Sequence, residues 1–195
     1  MNYLAHAYLS FGKQGILVGN MISDFVKGKK KFEYRQEIQQ GIALHRAIDT
    51  FTDTHSATKE AKEIFRPCYR LYAGAIMDII YDHFLALDEN EFTEESLRTF
   101  AQNTYSTLDL FSEHLPENFS MMFPYMKMHD WLYNYRHTVG IQKSLAGLAR
   151  RARYLEESDT AYTLFLNHYA ELKKLYQLFF PELKSMARNF IKQLN

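Results

Sequence analysis

Eight glycines and four prolines are all that punctuate a chain of 195 residues. A β-rich chain of this length turns often and draws on Gly and Pro to do so, so their scarcity predicts long helices with few interruptions. Hydrophobic residues make up 47% and aromatics 15%, which argues against disorder and leaves enough apolar surface for a sizeable core. The expected fold class is all-α, a single-domain helical bundle over residues 1–195.

Helical periodicity places the elements. Residues 2–10 read as a short helix, and "ILVGNMISDFVKG" as a second one ending near Gly28, with Ile16, Leu17, Met21, Phe25 and Val26 as its apolar positions. "KGKKKFEYR" is a basic connector, followed by a helix over 35–55. Ser56 is the expected N-cap of the next stretch, which Pro67 is expected to divide into a shorter and a longer helix. Thr93 fits the N-cap of a helix beginning "EESL". A helix across 138–153 and a long helical stretch from 158 to 194 complete the chain, with Pro181 expected to kink or break the last.

Formal charges balance at 23 basic and 23 acidic side chains, which lowers the expectation of a dedicated nucleic-acid binder. No apolar run reaches the length of a membrane span, so no membrane insertion is expected. The single Cys68 cannot form an intramolecular disulfide and fits a cytoplasmic protein. No G-x-S-x-G elbow, Walker loop, G-x-G-x-x-G or C-x-x-C occurs, so the usual signatures of covalent and nucleotide-cradling chemistry are missing. Composition says nothing about oligomeric state.

Several ionisable residues stand where core residues are expected. Asp24 lies in "GNMISDF", His45 and Asp49 in "ALHRAID", and Asp78, Asp82 and His83 in "IMDIIYDHFLAL". A carboxylate among Ile, Met, Phe and Leu is costly to bury unless it is paired or holds a cation. At about 100° per residue, His45, Asp49 and Asp53 are spaced about 40° apart and share one helical face, as do Asp78 and Asp82. Packed together, two such helices bring imidazoles and carboxylates into one pocket, a donor set suited to Mn²⁺, Fe²⁺, Zn²⁺ or Mg²⁺. His6 stands near enough to the chain start to be another ligand or a supporting contact. Each residue alone also fits a plainer role, a hydrogen-bonded core histidine or a solvated carboxylate. His55, His114, His137 and His168 read as surface residues, and Trp131 as core or pocket wall.

The blocks "MNYLAHAYLS", "GNMISDFVKG", "GIALHRAIDTFTD" and "DIIYDHFLAL", in that order, resemble the acyl carrier protein phosphodiesterases, and "WLYNYRHTVGIQKSLAGLARR" resembles a later segment more loosely. The resemblance implies an all-helical enzyme similar to the HD-domain phosphohydrolases, but with an irregular motif. An adjacent His–Asp pair is the usual form; here the pair is reversed, Asp82–His83, and His45 is followed by Arg46. Family members remove the 4′-phosphopantetheine arm from holo-acyl carrier protein, typically with Mn²⁺ and less well with Mg²⁺. Carried onto this chain, Asp24, His45, Asp82 and His83, with His6, are the expected metal shell. Asp49 and Asp78 are expected as a general base or as supports for a histidine, and Arg46 as a phosphate contact. Acyl carrier proteins are acidic, so Lys27, Lys29, Lys30, Lys31 and Arg35 are the expected docking strip, with Arg150, Arg151 and Arg153 as a further part. Two other readings stay open: a similar site acting on a nucleotide or other small phosphoester, and a noncatalytic helical module that binds an acidic protein.

Overall fold

The computed structural model describes residues 1–194. Among these residues it is all-α, with eleven α-helices and no strand. They are α1 (Tyr3–Tyr8), α2 (Gln14–Ile22), α3 (Gln36–Thr54), α4 (Ser56–Tyr69), α5 (Ala73–Ala86), α6 (Glu94–Leu110), α7 (Glu117–Met128), α8 (Trp131–Asn134), α9 (Thr138–Arg151), α10 (Asp159–Asn167) and α11 (Tyr169–Lys192). None is long and apolar enough to cross a membrane.

The closest pairing in the bundle is α2 against α3, and glycine permits it. A Cβ on Gly19 would stand 2.0 Å from the Ile38 carbonyl oxygen, and one on Gly41 would stand 2.1 Å from that of Ile16. Only hydrogen at both positions lets the two backbones touch. Around this pair Leu4, Ile22, Ile42, Ile48 and Ile80 are sealed from water, each side chain contributing roughly 1.5–3 kcal/mol. On the far side Tyr81 of α5 stacks on Phe179 of α11 at 4.8 Å between ring centres.

Helix boundaries follow local chemistry in some places and tertiary packing in others. Thr93 caps α6 as expected: its hydroxyl accepts from the Ser96 amide at 3.1 Å, while the Ser96 hydroxyl accepts from the Thr93 amide at 2.9 Å. The cap of α4 is His55 and not Ser56, because the imidazole Nδ1 accepts the Ala57 amide at 3.2 Å. Pro67 lies inside the last turn of α4, and the division falls at Arg70, whose φ of 46° turns the chain. Pro181 likewise leaves α11 unbroken, and the break comes earlier, at His168. Burial of Tyr176, Phe179, Phe180 and Leu183 carries α11 through the missing hydrogen bond. Finally, α2 stops at Ile22, and a 3₁₀ turn over Ser23–Phe25 follows. A second such turn, Gly28–Glu33, contains most of the basic connector.

Candidate functional site

The α2–α3 contact sets Asn20 of α2 beside His45 of α3, and α1 lays His6 over both. The His6 and His45 rings stack at 3.9 Å with 12° between their planes. Asn20, fully buried, orients the two rings. Its amide nitrogen donates to the His6 carbonyl at 2.7 Å and to the Ser10 hydroxyl at 3.1 Å, so its amide oxygen faces His6 Nδ1 at 2.8 Å. Its backbone carbonyl faces His45 Nδ1 at 2.7 Å. Both Nδ1 atoms therefore carry protons, and in the neutral rings both Nε2 atoms present lone pairs.

Those lone pairs point at other acceptors. His45 Nε2 stands 3.0 Å from Asp49 Oδ2 and 3.2 Å from Asp24 Oδ1. His6 Nε2 stands 3.3 Å from Asp49 Oδ1 and 3.1 Å from the Met1 carbonyl oxygen. Acceptors facing acceptors require a cation between them: a proton or a metal ion. One ligand atom each from His6, His45 and Asp49 lies within 4.8 Å of the others, so this trio fits a divalent ion. The carboxylates of Asp49 and Asp24, with side chains 41% and 72% exposed, open the group to solvent and leave room for further ligands.

Without a metal, a proton takes the cation's place. Burial works against charge on His45, but hydrogen bonds to Asp24 and Asp49 and their negative charges hold it up at about 9. Burial, and then the neighbouring His45, push His6 down to about 4. Burial would raise Asp49, yet its hydrogen bonds with His45 and His6 hold it well below the usual carboxylate range. The hydrogen bond from His45 lowers Asp24.

The other ionisable residues of the apolar helices go elsewhere. Asp82, wholly buried, accepts the amides of Asn2, Leu4 and Ala5 at 3.3, 2.7 and 3.2 Å and so anchors the start of α1. Burial lifts its pKa to about 7 against the pull of the Met1 amino group and these amides. His83 Nδ1 donates to the Tyr135 carbonyl at 2.7 Å, and its Nε2 accepts the Tyr169 hydroxyl at 3.0 Å. The adjacent Asp82–His83 pair, expected in the metal shell, is thus committed to backbone and tyrosine partners. Asp78, expected as a base or support, takes the Met1 amino group at 2.8 Å, which also lies 3.6 Å from Asp49. Asp24, expected within an apolar helix, lies instead on the exposed 3₁₀ turn but does reach His45. Arg46 is exposed on α3 with no partner among the described residues. Asp53 pairs with Lys62 at 2.6 Å, a surface contact. Lys27, Lys29, Lys30 and Arg35 are exposed and Lys31 half-buried, its ammonium 4.8 Å over the Phe32 ring.

Sequence reasoning passed over Asn20. The signal is a polar residue inside "ILVGNMI", uncharged and so not marked by the burial cost that singles out the carboxylates.

The family model described as acyl carrier protein phosphodiesterase matches residues 1–183. The chain belongs to this family. Among curated relatives, a protein of Photorhabdus laumondii is 32% identical over 190 residues, covering 97% of this chain and 96% of its own. One of Yersinia pestis is 32% identical with 97% and 98% covered, and one of Enterobacter sp. 33% identical over the whole of both chains. All three carry the name acyl carrier protein phosphodiesterase. No solved structure matches the chain.

Proposed function

We propose that the protein hydrolyses the phosphodiester linking 4′-phosphopantetheine to a serine of holo-acyl carrier protein, releasing apo-protein and phosphopantetheine in the cytoplasm. The observation that carries this reading is the convergence of the His6 and His45 Nε2 atoms on the carboxylates of Asp49 and Asp24, in a chain of this family. His6, His45 and Asp49 would hold a divalent ion, Mn²⁺ foremost, with Mg²⁺ or Fe²⁺ as alternatives. Such an ion, when bound, offsets the diester's charge and acidifies a water.

The chain's own residues do the rest. Asn20 keeps both Nδ1 positions protonated, so that neither ring can turn its lone pair away. Asp24, the most exposed carboxylate of the group, is placed to accept the proton of the attacking water. Water oxygen bonds to phosphorus, the bond to the serine oxygen breaks, and that oxygen takes up a proton. This assignment exchanges the roles expected for Asp24 and Asp49, because Asp49 lies between both imidazoles and Asp24 touches only one. Arg46, unpaired on the same helix, is available to an anionic phosphate. The lysines at positions 27–31 and Arg35 attract the acidic carrier.

The test is a mass measurement on holo-carrier protein incubated with enzyme and Mn²⁺. Loss of the prosthetic group, abolished by Asp49→Asn, is the expected result. Intact holo-protein at high enzyme, with turnover of nucleotides or other small phosphoesters, would replace the substrate in this reading.

A further inference from the structure

We propose that the cavity between α4 and the start of α5 binds a small phosphate monoester with a partly apolar tail, gripped at the phosphate by Arg70; the choice of natural ligand rests on the reading above, since released phosphopantetheine belongs to that class. The cavity measures about 660 Å³, within the range of small-molecule sites. Lys62, Arg66 and Arg70 all line it. They recur every four residues, so they form one cationic stripe along α4 and its C-terminal cap, and like charges at that spacing repel. The carboxylates nearby do not cancel the stripe. Asp53 is taken by Lys62 at 2.6 Å, and Asp78, on the opposite wall, by the Met1 amino group at 2.8 Å. Arg66 pairs with Glu63 at 3.0 Å, but both side chains are exposed, and such a surface pair yields to a dianion at little cost. The Arg70 guanidinium has no carboxylate partner among the described residues.

Arg70 stands where a side chain is least expected. Its φ of 46° and ψ of −116° form a turn that glycine enters freely and that strains any residue with a Cβ. The turn leads the chain from α4 into α5 and leaves the guanidinium on the cavity wall. A guanidinium presents a fork of donors matched to phosphate oxygens. Other parts of the wall suit a tail. Leu71 is 97% exposed, an apolar side chain without cover. Gly74 faces Lys62 with no side chain: a Cβ there would lie 3.6 Å from Lys62 Cε, an ordinary contact, so a methyl fits and a longer side chain would enter the cavity. Position connects the cavity with the candidate site. Asp53, on its wall, follows Asp49 by one turn of α3, a rise of about 6 Å. The amino group held by Asp78 is itself 3.6 Å from Asp49. A phosphate ester released beside Asp49 therefore has the wall of this cavity about one helical turn away.

The experiment is titration calorimetry on Mn²⁺-loaded protein with 4′-phosphopantetheine, pantetheine and inorganic phosphate. It compares wild type with Arg70→Gly, Gly74→Ala and Gly74→Leu, beside turnover of holo-carrier protein and thermal unfolding. Wild type is expected to bind phosphopantetheine about tenfold tighter than either fragment, or better. Arg70→Gly and Gly74→Leu should each weaken that binding about tenfold, with holo-carrier kcat within about twofold and Gly74→Ala like wild type. Arg70→Gly should melt no lower than wild type, because glycine relieves the strained turn, so binding lost there is not fold lost. Unchanged phosphopantetheine affinity in Arg70→Gly overturns the proposal, as does pantetheine binding as tightly as phosphopantetheine. Affinity that disappears with Mn²⁺ yet survives both substitutions puts the phosphate at the metal trio and also overturns it. Binding with the expected pattern in a protein that never cleaves holo-carrier protein leaves the cavity assigned and removes the reaction. Cleavage without such binding removes the cavity and keeps the reaction.

Discussion

Two clusters built from the same side-chain types end in opposite states. At Asp82–His83 every acceptor meets a donor: three backbone amides serve the carboxylate, and the imidazole sits between a carbonyl and a hydroxyl. At His6–His45–Asp49 acceptors face acceptors, and Asn20 holds them there. Burial of an ionisable group is costly in both places. In the first cluster donors within the chain offset part of that cost, though burial still lifts Asp82 to about 7; in the second the two Nε2 atoms face carboxylate oxygens, and a proton or a metal ion between them would offset the rest. Counting donors against acceptors distinguishes the two clusters where residue type does not.

The largest effect that would sharpen this contrast is on activity. Asp49→Asn or His45→Ala should lower hydrolysis about a thousandfold or more, beyond the roughly 10–100-fold typical of supporting residues, and should reduce bound Mn²⁺ measured by metal analysis. His83→Ala should keep its metal content. Equal metal loss in both would break the comparison.

Next in size is a stability effect on the other side. Asp82→Ala strands three amides of the first turn of α1, and a loss of about 3 kcal/mol in denaturant unfolding is expected. Asn20→Ala should cost about 10–100-fold in Mn²⁺ affinity, read by titration calorimetry, because His6 loses its Nδ1 acceptor while His45 keeps the backbone carbonyl of residue 20.

The smallest effect is on pH dependence, since Asp24 and Asp49 are partly exposed and solvent screens them. In metal-free protein the His45 value of about 9 lies above the ordinary 6.5. Its stabilising contribution is complete below pH 6.5 and is lost as pH rises through about 9. His6 has the opposite sign: its value near 4 means that stability is unaffected above pH 6.5 and declines as pH falls through about 4. Melting curves of wild type and His45→Ala should therefore converge toward alkaline pH. Curves that stay parallel would show that no proton fills the cation's place. Mn²⁺ should bind more tightly over the same rising range, because the metal displaces that proton.

Much of this was legible in the chain. The helical class followed from few breakers and steady apolar periodicity, and Thr93 announced its cap through Ser96. His45 and Asp49 share a face by spacing alone, and the structure keeps them together. Other elements were decided at a distance. Pro181 sits in continuous helix because α11 buries its aromatic side, and Asp24 is exposed because α2 gives way to a 3₁₀ turn. The three donors of Asp82 were not legible because they lie about eighty residues away in sequence, at the start of α1.

The sequence by itself determined which residues are out of place in apolar helices, since that depends on neighbours along the chain. It also determined the family, through four ordered blocks and a match across residues 1–183. Only the tertiary structure decided which of those residues meet. Gly19 and Gly41 let α2 and α3 touch, Asn20 then turns two imidazoles to one carboxylate, and α1 claims Asp82 for its own amides. Hydrogen-bond partners far apart in the chain are set by packing, and they decide which buried histidines and aspartates are satisfied within the chain and which face other acceptors.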